Sequence, residues 1–280
     1  MIVVGRKKVY LFMEQSREEL SALLPNIANQ MRVLLSSLHL AAAQAIPATA
    51  REQDPALDAK AAVLDQSFYR LLRLVNSLSA AEYLTEEHSL SLRDTDLVKL
   101  VGSVCETSGD LAEMLGIHLT FVCAMDRRIC AVNPAAMEQM LYHLLSNALK
   151  FTAVGGTVTV ELKKRSTQLL LSVADTGCGI PPERLEHLFD SCLLPQEAVP
   201  RHGLGLGLPL CQAIAERHGG RIAVESVPQQ GTRFTVSLPD RQLGTQVSDV
   251  TSPYDSGFNR PLLGLADALP AGAYTVRNQD

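Results

Sequence analysis

The sequence predicts an α+β protein in which a helical hairpin precedes a two-layer α/β domain. Three observations predict it. Two apolar seams with heptad spacing occupy the N-terminal third. From about residue 97 to 238, short strand-like stretches alternate with amphipathic helical ones. Within that part, the Gly-rich run RHGLGLGLPLCQAIAERHGG (201–220) leads straight into a helix. A length of 280 residues with 46% hydrophobic content allows one to three domains and an ample core.

Composition excludes several functions. The net charge of −5 gives no general attraction to nucleic acid, and no aromatic-plus-basic cluster argues otherwise. No run reaches the roughly 18 apolar residues of a membrane span, and residues 1–9 are too short for a signal-peptide core. The expectation is a soluble, cytoplasmic protein. Cys105, Cys123, Cys130, Cys178, Cys192 and Cys211 form no CxxC and no Cys/His ligand spacing, so free thiols are expected.

In chain order, residues 1–15 are an N-terminal lead without a clear pattern. Residues 16–88 are a dimerisation hairpin. Its first helix carries Leu20, Leu24, Ile27, Met31, Leu34 and Leu38 at heptad spacing, and it should end near residue 45, before Pro47 and a loop through Asp54-Pro55. Its second helix repeats the seam at Leu64, Phe68, Leu71, Val75 and Leu78. Leu23, Leu35, Leu72 and Leu74 add apolar surface that one two-helix contact cannot bury, so two hairpins should pair into a four-helix bundle.

Residues 89–240 are the α/β domain. A polar connector at 91–96 leads to a helix over 97–115 closed by Gly116. Stretches 118–124 and 128–132 read as a strand pair, and Met137 to Ala148 as a helix by its i, i+3, i+4, i+7 spacing. Strands are expected at 157–162 and 169–173, and after the glycine helix at 222–224 and 233–238. Residues 241–280, rich in Gly, Pro, Ser and Asp, read as a flexible tail.

Three polar constellations carry chemistry. Gly203, Gly205 and Gly207 precede Pro209, an imino acid suited to a helix's first turn. Glycines there let backbone approach a ligand, and the helix's free N–H groups attract an anion such as phosphate. His143, Asn147 and Lys150 fall at i, i+4 and i+7 opposite an apolar stripe, where an amide oxygen faces a hard cation and an ammonium a phosphate. Asp175-Thr176-Gly177-Cys178-Gly179-Ile180-Pro181 follows a strand, and its carboxylate and Ile suit an adenine.

In this order, the motifs resemble the nucleotide-binding fold of sensor histidine kinases, shared with gyrase, Hsp90 and MutL. HLLSNALKF resembles the N box, DTGCGIP the G1 box, LEHLF the F box, GLGLGLPL the G2 box and QGTRFTVSLP the closing strand. The resemblance covers about residues 16–240 and implies a dimeric four-helix bundle followed by a Bergerat-type (GHKL) ATP-binding domain. It implies ATP and Mg²⁺ as ligands, with the metal on Asn147. It further implies ATP contacts from Asn147, Lys150, Phe151, Asp175, Gly177, Gly179, Ile180, Arg201, Gly203, Leu204, Gly205, Leu206, Gly207 and Thr232, and a lid over 190–202. Partners implied are a second copy of the chain or a related kinase, and a response regulator.

One part of the family pattern is missing. Where the family carries a phosphoacceptor histidine, Asn-Ile-Ser-His-Glu-Leu-Arg-Thr-Pro-Leu, this chain reads NIANQMRVLL, with Asn29 at the acceptor position and Gln30 for the adjacent acid. An amide nitrogen gives its lone pair to the carbonyl and is not a phosphoryl acceptor. His39 lies ten residues on, roughly 80° around and about 15 Å along the helix. His143 is the second departure, standing where the N box usually carries Asn. Three readings follow: an ATP-binding signalling protein without autophosphorylation, a kinase acting on another residue or a partner in trans, and a dimerising scaffold without nucleotide.

Overall fold

The computed structural model describes residues 26–80, 90–189, 205–244, 246–247 and 258–276. The lead 1–15, seam residues Leu20 and Leu24, and the whole lid over 190–202 therefore lie outside the described residues. Residues 26–45 form α1, Ala48–Gln53 the short α2 and Pro55–Ser79 α3. Asp54 caps α3: its side chain accepts from the Ala56 and Leu57 N–H groups, and Pro55 fits the first turn, where no N–H is needed. Where a loop was expected after residue 45, the breaker-free run ATAREQ between Pro47 and Asp54 forms α2.

Within the chain, α1 meets α3 through a stripe one step round from the predicted seam. Ala28 is fully buried. Arg32 donates to Asn76 Oδ1 (3.1 Å) and Ser79 Oγ (3.0 Å), and the His39 ring stacks on Phe68 at 4.0 Å. The seam itself faces out: Ile27, Met31, Leu34 and Leu38 are 46, 41, 70 and 64% exposed. In α3 it splits, with Phe68 and Val75 buried and Leu64 and Leu71 exposed. The α1 heptad, with Leu64 and Leu71 of α3, thus marks a face that the hairpin does not use on itself.

The second part comprises β1 (Arg93–Asp96), α4 (Leu97–Met114), β2 (His118–Cys123), β3 (Ile129–Val132), α5 (Pro134–Phe151), β4 (Thr157–Arg165), β5 (Gln168–Asp175), α6 (Pro182–Leu185), α7 (Gly207–Arg217), β6 (Arg221–Val227) and β7 (Gly231–Pro239). Five strands make one mixed sheet in the order β2-β4-β5-β7-β6, parallel only between β2 and β4. Helices α4, α5 and α7 bury Val101, Leu144, Leu145 and Ile214 in one core with Val160, Leu171, Val173 and Val236 of the sheet.

The expected pairing of 118–124 with 128–132 does not occur. Instead β2 runs parallel to β4, aligned by His118 N–H to Gly156 O, and β3 pairs antiparallel with β1. β1 lies inside the predicted polar connector, and its sequence RDTD hides a strand from hydrophobic periodicity. Asp94 and Thr95 are buried there nonetheless, and Asp94 Oδ1 accepts the Leu243 N–H at 2.8 Å.

The flexible tail expected over 241–280 is also corrected for its described residues 258–276. Arg260–Gly264 forms α8, Ala271–Tyr274 a 3₁₀ turn, and Leu262, Leu265, Ala266, Leu269, Ala273 and Tyr274 are buried against the rest of the core. Fully burying an aliphatic or aromatic side chain stabilises by about 1.5–3 kcal/mol, so this segment contributes a large gross term. Its polar composition concealed a short apolar core of its own.

Candidate functional site

Asp175 ends β5 opposite Thr232 of β7. Its Oδ1 accepts from the Gly177 N–H at 2.8 Å and the Thr232 N–H at 3.3 Å, while no described residue donates to Oδ2. Partial burial raises the Asp175 pKa, and the two N–H bonds act against that shift. Two glycines are required by close approach. A Cβ on Gly177 would sit 2.3 Å from the Phe151 carbonyl oxygen, and one on Gly231, whose φ is +105°, would sit 1.9 Å from that of Asp175. The turn is closed by the Ile180 N–H donating to Ser226 Oγ at 2.8 Å, with Ser226 Oγ 2.9 Å from Thr232 Oγ1. Asp175, Gly177, Gly179, Ile180 and Thr232 are therefore gathered at one end of the sheet, against the end of α5.

α5 supplies the next group. Asn133 caps it by accepting the Ala136 N–H, and Met137, Met140, Leu141, Leu144 and Leu145 bury its apolar stripe completely. Asn147 and Lys150 are half-buried, Phe151 is exposed, and Lys150 Nζ lies 5.2 Å from the Phe151 ring centre. Burial lowers the Lys150 pKa; Asp267 favours its charge, while Arg73 and Arg70 oppose it.

His143 departs from expectation. It does not face a ligand beside Asn147 but is buried, with Arg73 Nη2 of α3 at 3.3 Å from Nδ1 and Gly207 so near that a Cβ there would be 3.1 Å from the same atom. Desolvation first, and Arg73 second, push its pKa down to about 3. A neutral imidazole accepting from arginine has no lone pair left on that nitrogen for a ligand. Because the folded value lies below the unfolded one, the unfolded chain binds more protons between about pH 3 and 6.5, and stability falls as pH falls through that window. The expected slope is of order 1 kcal/mol per pH unit, and His143→Asn should flatten it. Urea midpoints at pH 7.5 and 5.0 check this, and equal losses in the two proteins would refute it.

α7 brings the glycine motif. It begins at Gly207 after Leu206, with no side-chain cap, leaving its first N–H groups for solvent or a ligand. Gly205 has φ +67°, and Gly219, with φ +76°, ends the helix region. Arg201, Gly203, Leu204 and the lid over 190–202 lie outside the described residues. Sequence reasoning missed Arg70, Arg73 and Asp267, the charges around Lys150. The spacing of Arg70 and Arg73 on one face of α3 was visible, but nothing in the sequence tied that face to α5.

The arrangement offers an acceptor for an amine at Asp175 Oδ2, an apolar contact at Ile180, an ammonium at Lys150 and an uncapped helix N-terminus at α7. That set fits a ligand with a planar amino-bearing base and an anionic end. Among the described residues, no group of three His, Cys, Asp or Glu is placed to hold a metal, so a cation there would rely on ligand oxygens together with the Asn147 amide.

Comparison with known proteins agrees with that class of site. Residues 132–242 match the family described as histidine kinase-, DNA gyrase B- and HSP90-like ATPase. The sensor protein SrrB of Staphylococcus aureus strain N315 is 31% identical over 217 residues, which is 76% of this chain and 37% of that protein. The chain thus spans little more than a third of the length of the curated relative it matches. The crystal structure of full-length ShkA in complex with AMPPNP aligns at a TM-score of 0.63 and 24% identity, covering 80% of this chain and 47% of ShkA. The histidine kinase AdeS of Acinetobacter baumannii aligns at 0.51 and 18% identity, covering 74% of this chain and 96% of that one. These two structural likenesses show the fold. Residues 132–242 thus carry the GHKL ATPase domain found in sensor histidine kinases, and the chain is similar to a sensor kinase over most of its length. Among the described residues, no helix is long and apolar enough to cross a membrane.

Proposed function

We propose that this protein binds Mg·ATP in its α/β domain and signals as a two-component kinase relative without phosphorylating its own hairpin. The observation that carries the nucleotide reading is the Asp175 carboxylate. One oxygen is fixed by two backbone N–H groups, and the other is left for a base amine. In this reading Ile180 and Phe151 pack on the base, Lys150 and the N-terminal N–H groups of α7 hold the phosphates, and Asn147 Oδ1 ligates Mg²⁺. Arg201, Gly203, Leu204, Gly205, Leu206 and Gly207 would close over the phosphate chain. The cation would neutralise phosphate charge, while the protein positions and desolvates the ligand. Calorimetric titration with Mg·ATP tests the reading: saturable heat is expected, and none at millimolar nucleotide would leave the dimerising scaffold instead.

The absence of self-phosphorylation rests on Asn29. His39 does not stand in for it. Its ring stacks on Phe68 with Tyr69 and Phe258 edge-on, and its Nδ1 is buried with no hydrogen-bond partner among the described residues, 3.8 Å from Asp65 Oδ1. Burial also lowers the His39 pKa.

The outward seam supports a homodimer. Ile27, Met31, Leu34 and Leu38 of α1 and Leu64 and Leu71 of α3 are apolar and unburied in one protomer. Because Leu34 and Leu71 are exposed there, Leu34→Asp or Leu71→Asp should leave the protomer folded. A charge unpaired in the bundle should weaken the dimer by roughly two orders of magnitude or more. Sedimentation at tens of micromolar checks this, and a wild-type monomer or an unaffected variant dimer would refute it. Signalling would then run through nucleotide-dependent shape or pairing with a related kinase, with a response regulator as the downstream partner.

A further inference from the structure

The segment 258–276 is wedged between the hairpin and the nucleotide domain, and polar contacts hold it as well as its buried apolar residues. Gln66 Nε2 of α3 donates to the Leu269 carbonyl at 2.7 Å, Arg70 Nε to that of Ala266 at 3.2 Å, and Arg73 Nη1 to that of Gly264. These donors lie at i, i+4 and i+7, so one face of α3 grips three carbonyls in turn. Arg51 of α2 adds a fourth grip, donating to the Tyr274 carbonyl at 2.8 Å. On the other side the segment meets α5. Arg260 pairs with Glu138 at 3.5 Å, and Gly264 lies so close to the Tyr142 ring that a Cβ would come within 2.3 Å of it.

One side chain of the segment reaches the arginine that covers His143. Asp267 Oδ2 is 3.3 Å from Arg73 Nε, and the same guanidinium reaches the His143 imidazole of α5. Asp267 is also the charge that favours the Lys150 ammonium, against Arg70 and Arg73. Asp267 thus pairs with Arg73, and Lys150 lies within electrostatic reach of Asp267, Arg73 and Arg70, so one carboxylate is set against three cations. A part-buried, incompletely neutralised cation cluster attracts a multiply charged anion.

We propose that segment 258–276 is a latch whose Asp267 is the resident counter-ion of this cluster, and that the phosphates of a bound nucleoside triphosphate compete with Asp267 for it and loosen the latch. This rests on the nucleotide reading above and adds its regulation. A carboxylate of one charge is a weaker partner for three cations than a triphosphate. By linkage, whatever the ligand loses in displacing Asp267 the latch loses in being displaced. The hairpin and the nucleotide domain are therefore held together while Asp267 occupies the cluster, and triphosphate releases them from one another.

The experiment uses the full chain. Binding of adenosine and of Mg·AMP-PNP is titrated for wild type and Asp267→Asn, and amide hydrogen exchange over 258–276 is followed in wild type with each ligand. Asp267→Asn removes the charge and keeps the shape, so it should bind Mg·AMP-PNP roughly tenfold tighter with adenosine affinity unchanged. In wild type, exchange over 258–276 should speed up with Mg·AMP-PNP and stay the same with adenosine. The wild-type exchange measurement needs no variant, so a variant that misfolds does not remove the test. Unchanged or slower exchange with Mg·AMP-PNP would overturn the latch while adenosine binding leaves the nucleotide reading standing. Weaker triphosphate binding by Asp267→Asn would overturn the latch in favour of a direct ligand role for Asp267. Failure of wild type to bind either ligand would overturn the nucleotide reading and the latch with it.

Discussion

Asp175→Asn is expected to weaken adenine-nucleotide binding by roughly ten- to a hundredfold, the worth of a hydrogen bond to a charged group. The geometry makes the substitution sharper than the loss of a charge. Oδ1 is committed to the Gly177 and Thr232 N–H groups, so an asparagine must keep its carbonyl oxygen there. Its amide nitrogen then takes the place of Oδ2 and presents a donor to the donor amine of the base. Because the internal acceptor is retained, the turn and the β5–β7 ladder should survive, and the melting temperature should move little. Titration with Mg·ATP and with adenosine, beside a thermal melt, checks both halves. An unchanged nucleotide affinity would remove Asp175 from the base site, and a large fall in melting temperature would make it a structural residue only.

Much of this arrangement was legible in the sequence because local chemistry and ligand chemistry coincide there. Gly177, Gly231 and Gly219 stand where a Cβ or an ordinary φ is forbidden, and such positions leave a mark that one sequence can show. The stripe of Met137, Met140, Leu141, Leu144 and Leu145 announced α5 by periodicity alone. Pairing partners were less legible. The polar strand β1 carries Asp94 and Thr95 inward, satisfied by backbone and by Leu243 N–H rather than by apolar packing, so no alternation exposed it. His143 was misread because its helical face was judged from α5 alone, and the neighbour that buries it, Arg73, comes from α3, 70 residues earlier. The docking of 258–276 was hidden for the same reason: its carbonyls are held by side chains of α2 and α3, a long-range satisfaction that composition does not record.

The wild-type chain is expected to form no acid-labile phosphohistidine with Mg·ATP, and Asn29→His with Gln30→Glu to gain it. Phosphoryl transfer needs a nucleophile about 3–3.5 Å from the phosphorus in the reactive arrangement. At the family's acceptor position the described side chain is an exposed amide whose Oδ1 accepts from Arg32 Nη1 at 2.6 Å. Arg32 is itself tied to Asn76 and Ser79 of α3, so the amide is held on the hairpin's outer surface by a fixed partner. Its nitrogen remains conjugated with the carbonyl in any orientation, and no environment on α1 turns it into an acceptor. Asn29→His alone restores a nucleophile without a neighbouring acid to orient it, so weak labelling is expected. Adding Gln30→Glu supplies that acid, and labelling should rise by roughly a hundredfold over Asn29→His alone, in the range of general acid–base contributions. Labelled ATP, followed by acid treatment of the denatured protein, reads the result directly. Strong acid-labile label on the wild-type chain would instead assign the chemistry to another histidine, and the protein would then be a working kinase.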